Sequence, residues 1–299
     1  MKFGKDNIIA IVGPTAAGKS DIAVRIAKAI GGEVVSADSR QIYKGLDIGS
    51  GKITPRETRG VPHYMLDVAD PKRTFTVAQY QKQALKEIAR ILKRGKIPVL
   101  VGGTGLYIQA IIDGVTFPEV KPNAKLRKKL EGKSAAELAA ILKKLDKKRY
   151  LEIDIHNPRR LVRAIEIAKA LGSVPPIKKT SDFTPLLIGI RLDDEILKKK
   201  IHARLLKRMK VGMVAEAKRL HAEGLSYKRM DSLGLEYRYL AAFLQKKLSK
   251  EEMIEQLSNA IWHYAKRQIT WFKKDKRIKW FEPGEYEKIE SKVRNFLKN

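Results

Sequence analysis

Residues 13–20 read Gly-Pro-Thr-Ala-Ala-Gly-Lys-Ser. The octet fits the phosphate-loop pattern, a glycine and four free positions followed by Gly-Lys-Ser or Gly-Lys-Thr, without a mismatch. Its flanks decide the fold. Before it, Ile8-Ile9-Ala10-Ile11-Val12 is an apolar run of the kind carried by parallel strands buried on both faces. After it, Ile22, Ala23, Ile26, Ala27 and Ile30 recur at helical spacing, and Gly31-Gly32 ends the run. A strand, a glycine-rich loop and a helix start together aim backbone N–H groups at a polyphosphate. Gly13, Pro14, Thr15, Ala16, Ala17 and Gly18 would wrap that group and Lys19 would reach its outer phosphates. The Ser20 hydroxyl would take a ligand position on Mg²⁺. The chain is expected to bind a di- or triphosphate.

Further strands follow the same logic. Glu33 to Asp38 reads as a second strand, and Lys96 to Gly103 as a third after an amphipathic helix over about Val77 to Arg94. Alternating strands and helices indicate a parallel sheet with helices on both faces. Such sheets gather functional groups at the carboxyl ends of their strands. Those ends carry the phosphate loop, Asp38-Ser39 and Gly102-Gly103-Thr104-Gly105, so all three should meet in one crevice. Residues 1–115 are expected to form this core.

The pattern changes after Gly114. Residues 124–172 predict two or three helices, one opened by a capping box at Ser134–Glu137 and one started by Pro158 and stopped by Gly172. A strand resumes at Leu186 to Ile190. Residues 116–185 therefore read as a helical insertion, and 186–299 as a return to the core in which everything from Asp194 onward is helical. The last long helix, about Glu251 to Lys274, interleaves aromatic and basic residues. Trp262, Ile269 and Phe272 are expected to face the core, and Lys266, Arg267, Lys273 and Lys274 to form a cationic ridge.

Charge narrows the partners. The 299 residues include 62 Lys and Arg against 33 Asp and Glu, a formal charge of +29. That excess points to nucleic acid as the large anionic partner, since no basic amphipathic membrane anchor stands out. Lysine enrichment of a heat-adapted surface is the alternative source of charge. With no cysteine, disulfides and cysteine-based zinc sites are excluded, and the five histidines have no ligand spacing. A soluble cytoplasmic chain without membrane spans is expected.

Two polar residues could carry chemistry. Asp38, at a strand end beside the phosphate loop, suits a general base, a water-mediated Mg²⁺ partner or a turn residue, with the base role favoured. Thr104 follows two glycines, so its hydroxyl could approach a ligand closely, or it could close an ordinary turn.

Taken together, GPTAAGKS, VSADSRQIYKGLDIGSGK, VPHYMLDV, VGGTGLYI, HNPRRLVRAIEI and AKRQITWF resemble the tRNA dimethylallyltransferase family of bacterial type, over nearly the whole chain and in order. The resemblance implies an α/β fold of P-loop, nucleoside-kinase-like kind with a helical insertion and a helical C-terminal region. It implies transfer of a dimethylallyl group from dimethylallyl diphosphate to the N6 amine of the tRNA adenosine 3′ of the anticodon, with Mg²⁺ as cofactor and no protein partner. By this resemblance Arg204 adds a cationic contact to the diphosphate, Asp38 serves the flipped adenine, and Thr104 helps to position the adenine or the diphosphate. Asp38, Ser39, Arg40, Gln41 and Thr104 would surround that base. Arg127, Arg159, Arg160 and Arg163 of the insertion would contact RNA, as would Arg238, Lys266, Arg267, Gln268, Trp271 and Lys273 near the C-terminus. Glu236-Tyr237 stands where many members have Gly-Tyr, and Tyr80 where Phe is frequent.

A P-loop kinase would leave the basic charge without a purpose, and a non-catalytic RNA-binding module would leave Asp38 and Thr104 without one. The charge reading has a direct check. The logarithm of tRNA affinity should fall linearly with log salt, with a slope of about −0.7 to −0.9 per phosphate contact. A flat response in a binding titration from low to high salt would refute it.

Overall fold

The structure is a computed structural model describing residues 7–298. Its centre is a six-stranded sheet in which every pairing is parallel, in the order β3-β2-β4-β1-β5-β6. In chain order the core begins with β1 (Asn7–Val12), α1 (Lys19–Ile30), β2 (Glu33–Ser36), α2 (Pro55–Thr58) and β3 (His63–Tyr64). It continues through α3 (Val77–Lys93), β4 (Pro98–Gly102) and α4 (Gly105–Ile112). After the insertion come β5 (Thr184–Ile190), α9 (Asp194–Lys210), α10 (Met213–Ala222), α11 (Tyr227–Leu233), α12 (Leu235–Leu244), α13 (Lys250–Lys273), β6 (Lys279–Phe281) and α14 (Tyr286–Lys298). The insertion helices are α5 (Ala124–Leu130), α6 (Ala135–Leu145), α7 (Lys147–Glu152) and α8 (Pro158–Leu171).

All residues of β1 and β4 are buried, as largely apolar central strands require. The two faces have separate cores. On one, Ile9, Ile11 and Val99 pack with Ile22 and Ile26 of α1 and with Ile289 and Val293 of α14. On the other, Ile8, Ala10 and Leu100 pack with α3, α4 and the helices after β5. Tyr80 of α3 lies under this second face. Its ring stacks on Tyr107 at 3.8 Å between centroids, and its hydroxyl donates to the Ser36 carbonyl at 2.9 Å.

Residues 115–180 form a separate compact unit, and the remainder of the chain forms the other. The insertion has its own core of Leu130, Leu138, Leu142, Leu161 and Ile165. The capping box at Ser134, Pro158 at the start of α8 and Gly172 at its end stand as the sequence predicts.

Three expectations are corrected. The insertion has four helices rather than two or three, because the short turn α7, capped by Asp146, carries too few residues to show a period. The C-terminal part is not wholly helical: β6 extends the sheet by pairing with β5. Its Lys-Trp-Phe lacks a strand signature since it is three residues long and lies on an edge, where a lysine discourages further pairing. The second strand ends at Ser36, so Asp38 lies in the following turn. The buried stripe of α13 is Met253, Leu257, Ile261, Ala265, Gln268 and Phe272, and the half-buried Trp262 and Ile269 pack against the same core, as expected.

Tyr80→Phe tests the buried hydroxyl alone, since the ring stays the same size. Loss of the bond to Ser36 should cost about 1 kcal/mol. It would be read as a lower denaturant midpoint with an unchanged slope.

Candidate active site

Because β2, β4 and β1 are neighbours, the turns after them open at the same end of the sheet. They line one cleft of about 490 Å³ together with side chains from α9, α12 and α13. The phosphate loop bends through Gly13, with φ of 142°, and Gly18, with φ of 89°, and holds Ala16 at φ 63°. A non-glycine residue in that left-handed region is strained, a cost found mainly where a site needs the geometry. Close packing of the turns also depends on Gly102, where a Cβ would run into the Ala37 carbonyl.

Lys19 is the first residue of α1, and its ammonium donates to the Pro14 carbonyl at 2.6 Å. Loss of surrounding water lowers its pKa to about 8; the nearby Asp38 carboxylate works against this and the Arg204 guanidinium with it. Arg204 of α9 is lowered to about 10 by its own burial and by Arg208, against Glu236 and Asp38. The cleft thus brings two cations close together, which favours an anion. Ser20 lines it one residue after Lys19.

Asp38 lines the same cleft. Its Oδ1 accepts the Arg40 N–H at 2.8 Å and the Gln41 N–H at 3.3 Å. The turn role and a chemical role are therefore compatible, since one oxygen makes the turn and Oδ2 has no hydrogen-bond partner among the described residues. Thr104 caps α4 by position, and its Oγ1 accepts the Ser39 N–H at 3.0 Å and donates to Ser39 Oγ at 3.3 Å. Gln41 donates to the Gly51 carbonyl at 3.2 Å.

Gln268 acts inside the site. It is buried, its Oε1 accepts the Thr15 N–H at 2.9 Å and its Nε2 donates to the Gly103 carbonyl at 2.8 Å. One side chain of α13 therefore ties the phosphate loop to the turn that carries Thr104. Trp271, one turn further on, packs against Gly105, where a Cβ would collide with its ring.

The remaining basic residues differ in how occupied they are. Arg127 grips the buried Glu166 with Nε at 2.7 Å and Nη2 at 2.9 Å, and Arg163 reaches the same carboxylate at 3.3 Å and the Val120 carbonyl at 2.9 Å. Arg160 lies 3.7 Å from Asp154, while Arg159 is exposed with no ion pair among the described residues. Arg238 pairs with Asp231 at 2.9 Å and Lys266 with Asp194 at 3.0 Å. Arg267 lies over the Tyr264 ring at 6.0 Å, and Lys273 is exposed.

Sequence reading missed three contributors. Tyr264 lines the cleft, where burial first and then Asp38 push its phenol up to about 12, so it stays a neutral hydroxyl. Buried Glu236 pairs with Arg208 at 3.1 Å. Glu216 holds the loop at 47–49. Glu236 stands out in the sequence only as a departure from Gly-Tyr, and Tyr264 left a trace of another kind. It falls one helical turn before Gln268, a polar residue set in the apolar stripe of α13, and a polar position in such a stripe marks a buried site.

A phosphate loop, two enclosed cations and an acid at adjacent strand ends define a P-loop α/β protein whose cleft favours an anion. The IPP transferase family model matches residues 41–275. A "tRNA dimethylallyltransferase 2" of Treponema denticola is 42% identical over 276 residues, covering 90% of this chain and 92% of that one. A solved tRNA isopentenylpyrophosphate transferase from Bacillus halodurans superposes with a TM-score of 0.76 at 34% identity, covering 98% and 97% of the two chains. A eukaryotic dimethylallyltransferase solved acting on tRNA gives 0.75 at 25% identity, with 89% of this chain and 70% of that one covered. The chain belongs to the IPP transferase family. No helix among its described residues is long and apolar enough to cross a membrane.

The lowered pKa of Lys19 predicts a pH-dependent anion site. Sulfate keeps a fixed charge over this range, and its affinity should fall as pH rises through about 8, where the ammonium loses its proton. Calorimetric titration from pH 6 to 10 reads this directly. Lys19→Met should bind sulfate weakly and lack the step.

Proposed function

We propose that the chain transfers a dimethylallyl group from dimethylallyl diphosphate to the N6 amine of the adenosine 3′ of the anticodon in tRNA, releasing diphosphate. The observation that carries this reading is one cleft lined by Lys19 and Arg204 at the phosphate loop together with Asp38, with Thr104 bonded to the lining residue Ser39. In the reaction the allylic carbon–oxygen bond breaks and its electron pair leaves with the diphosphate. The N6 lone pair forms the new carbon–nitrogen bond. Negative charge then grows on the leaving oxygen, and Lys19, Arg204 and the backbone N–H groups at the start of α1 would stabilise it.

The adenine amine is a weak nucleophile because its lone pair is delocalised into the ring. Asp38 would accept a hydrogen bond from it and then the proton released on alkylation, through the oxygen not used in the turn. Thr104, oriented by Ser39, would fix the plane of the base, and Tyr264 would bound the adenine pocket. An adenine stacked in the anticodon loop cannot reach this cleft, so it would be flipped out. Arg40, Gln41, Trp271, Arg238, Lys266, Arg267 and Lys273 would serve the nucleotides around it. Arg127, Arg159, Arg160 and Arg163 would supply phosphate contacts from the insertion, with Arg159 the most available.

Among the described residues no group of three His, Cys, Asp or Glu side chains forms a metal cage. Mg²⁺ on phosphates takes one or two protein ligands and completes its shell with phosphate oxygens and water, so the Ser20 hydroxyl at the start of α1 fits that ion. When bound, Mg²⁺ supplies charge neutralisation on the leaving diphosphate.

Incubating tRNA with the protein, Mg²⁺ and dimethylallyl diphosphate should add one five-carbon prenyl unit to an adenosine beside the anticodon, read by nucleoside mass analysis. No adduct, with phosphoryl transfer from ATP to a small acceptor instead, would refute the reading. Asp38→Asn keeps an oxygen for the turn but removes the base. It should lower turnover by roughly 10²- to 10⁴-fold and leave tRNA affinity intact.

A further inference from the structure

The loop at residues 47–52 crosses the cationic wall of the cleft without belonging to a helix or strand. One side chain holds its near end. Glu216 of α10 is buried; its Oε2 accepts the N–H groups of Asp47 at 2.9 Å and Ile48 at 2.7 Å. Its Oε1 accepts the Gly49 N–H at 2.9 Å and the Tyr237 hydroxyl at 2.7 Å. Among the described residues no lysine or arginine forms an ion pair with it, so its charge is satisfied by oriented dipoles alone.

The far end of the same loop meets the cations. The Gly51 carbonyl accepts from Arg204 Nη2 at 3.2 Å and from Gln41 Nε2 at 3.2 Å, and the Gly49 carbonyl accepts from Arg208 at 3.3 Å. Gly51 turns with φ of 59°, and a Cβ there would run into the Arg204 and Arg208 guanidinium groups. For Arg204, Gly51 is the one hydrogen-bond acceptor among the described residues. The position of that carbonyl therefore sets where the guanidinium stands in the cleft.

We propose that Glu216 is a positioning residue for donor binding, fixing the loop at 47–51 so that the Gly51 carbonyl presents Arg204 to the diphosphate. The proposal rests on the prenyl-transfer reading and names a residue, remote from the reacting atoms, on which its diphosphate half depends. Amide substitution places an N–H₂ group among four donors, so one or more of them loses its partner and the loop is released.

A double-mutant cycle between Glu216→Gln and Arg204→Gln tests this, read as the inhibition constant of inorganic diphosphate, the KM for the donor and the Kd for tRNA. Glu216→Gln alone should raise the first two about ten-fold, in the range seen when groups supporting a ligand-binding residue are removed, and leave the tRNA Kd unchanged. In the Arg204→Gln background it should cost no further diphosphate affinity. An equal loss in both backgrounds, or no loss in either, overturns the proposal while leaving prenyl transfer standing. Should Glu216→Gln not fold, Tyr237→Phe deletes one of the four bonds and runs through the same cycle, with a few-fold effect expected. An Arg204→Gln protein with undiminished diphosphate affinity removes the donor-site reading itself, and this proposal with it.

Discussion

Two positive side chains drawn out of water into one cleft are the constraint around which this molecule is arranged. Each is disfavoured by its own desolvation, and each feels a neighbouring guanidinium, Lys19 that of Arg204 and Arg204 that of Arg208. Folding must keep them close without letting them relax apart or find an internal anion. The protein does so with neutral dipoles more than with countercharges: the Pro14 carbonyl receives Lys19 and the Gly51 carbonyl receives Arg204. Carbonyl oxygens orient a cation without cancelling it, so the field stays available for a ligand.

That arrangement asks for a rigid backbone, and the rigidity comes from far along the chain. Gln268 braces the phosphate loop against the Gly103 turn, and Glu216 and Tyr237 brace the loop beneath Arg204. Both clamps come from helices packed on one face of the sheet, so the core that buries Ile261 and Ala265 also aims the polar groups beside them. Packing and polar order are here the same contact surface. The insertion repeats the device with Glu166, a carboxylate that burial pushes up and the Arg127 and Asn123 donors bring back below the usual range.

What the sequence revealed follows from the range of each interaction. The phosphate loop, its strand and its helix are neighbours in the chain, and their spacing alone places Lys19 and Ser20. Asp38 and Thr104 were also legible, because a parallel sheet brings its strand ends together. Gln268 was visible as a residue though not in its role: the family motif marks it as an RNA contact, and only its place in the apolar stripe of α13 indicates that it turns inward. Glu216 left no mark. An acid in the first turn of a helix is the commonest of surface residues, and its value here comes from backbone groups 167 to 169 positions away. β6 was hidden for another reason: three residues on an edge bury too little on one face to impose a period.

The order of the strands has a consequence for the life of the nascent chain. β1 lies between β4 and β5, so one of its two flanks closes only when a segment about 170 residues later has emerged. At roughly 5–20 residues per second that wait lasts on the order of ten to thirty seconds. During it the isoleucines of β1 have no partner on that side, whereas residues 115–180 carry a complete core of their own. The insertion is therefore the first part able to fold for good, and the phosphate cleft, which needs Gln268, is among the last. The insertion draws its core from 66 consecutive residues, whereas the phosphate cleft draws on positions from Thr15 to Gln268.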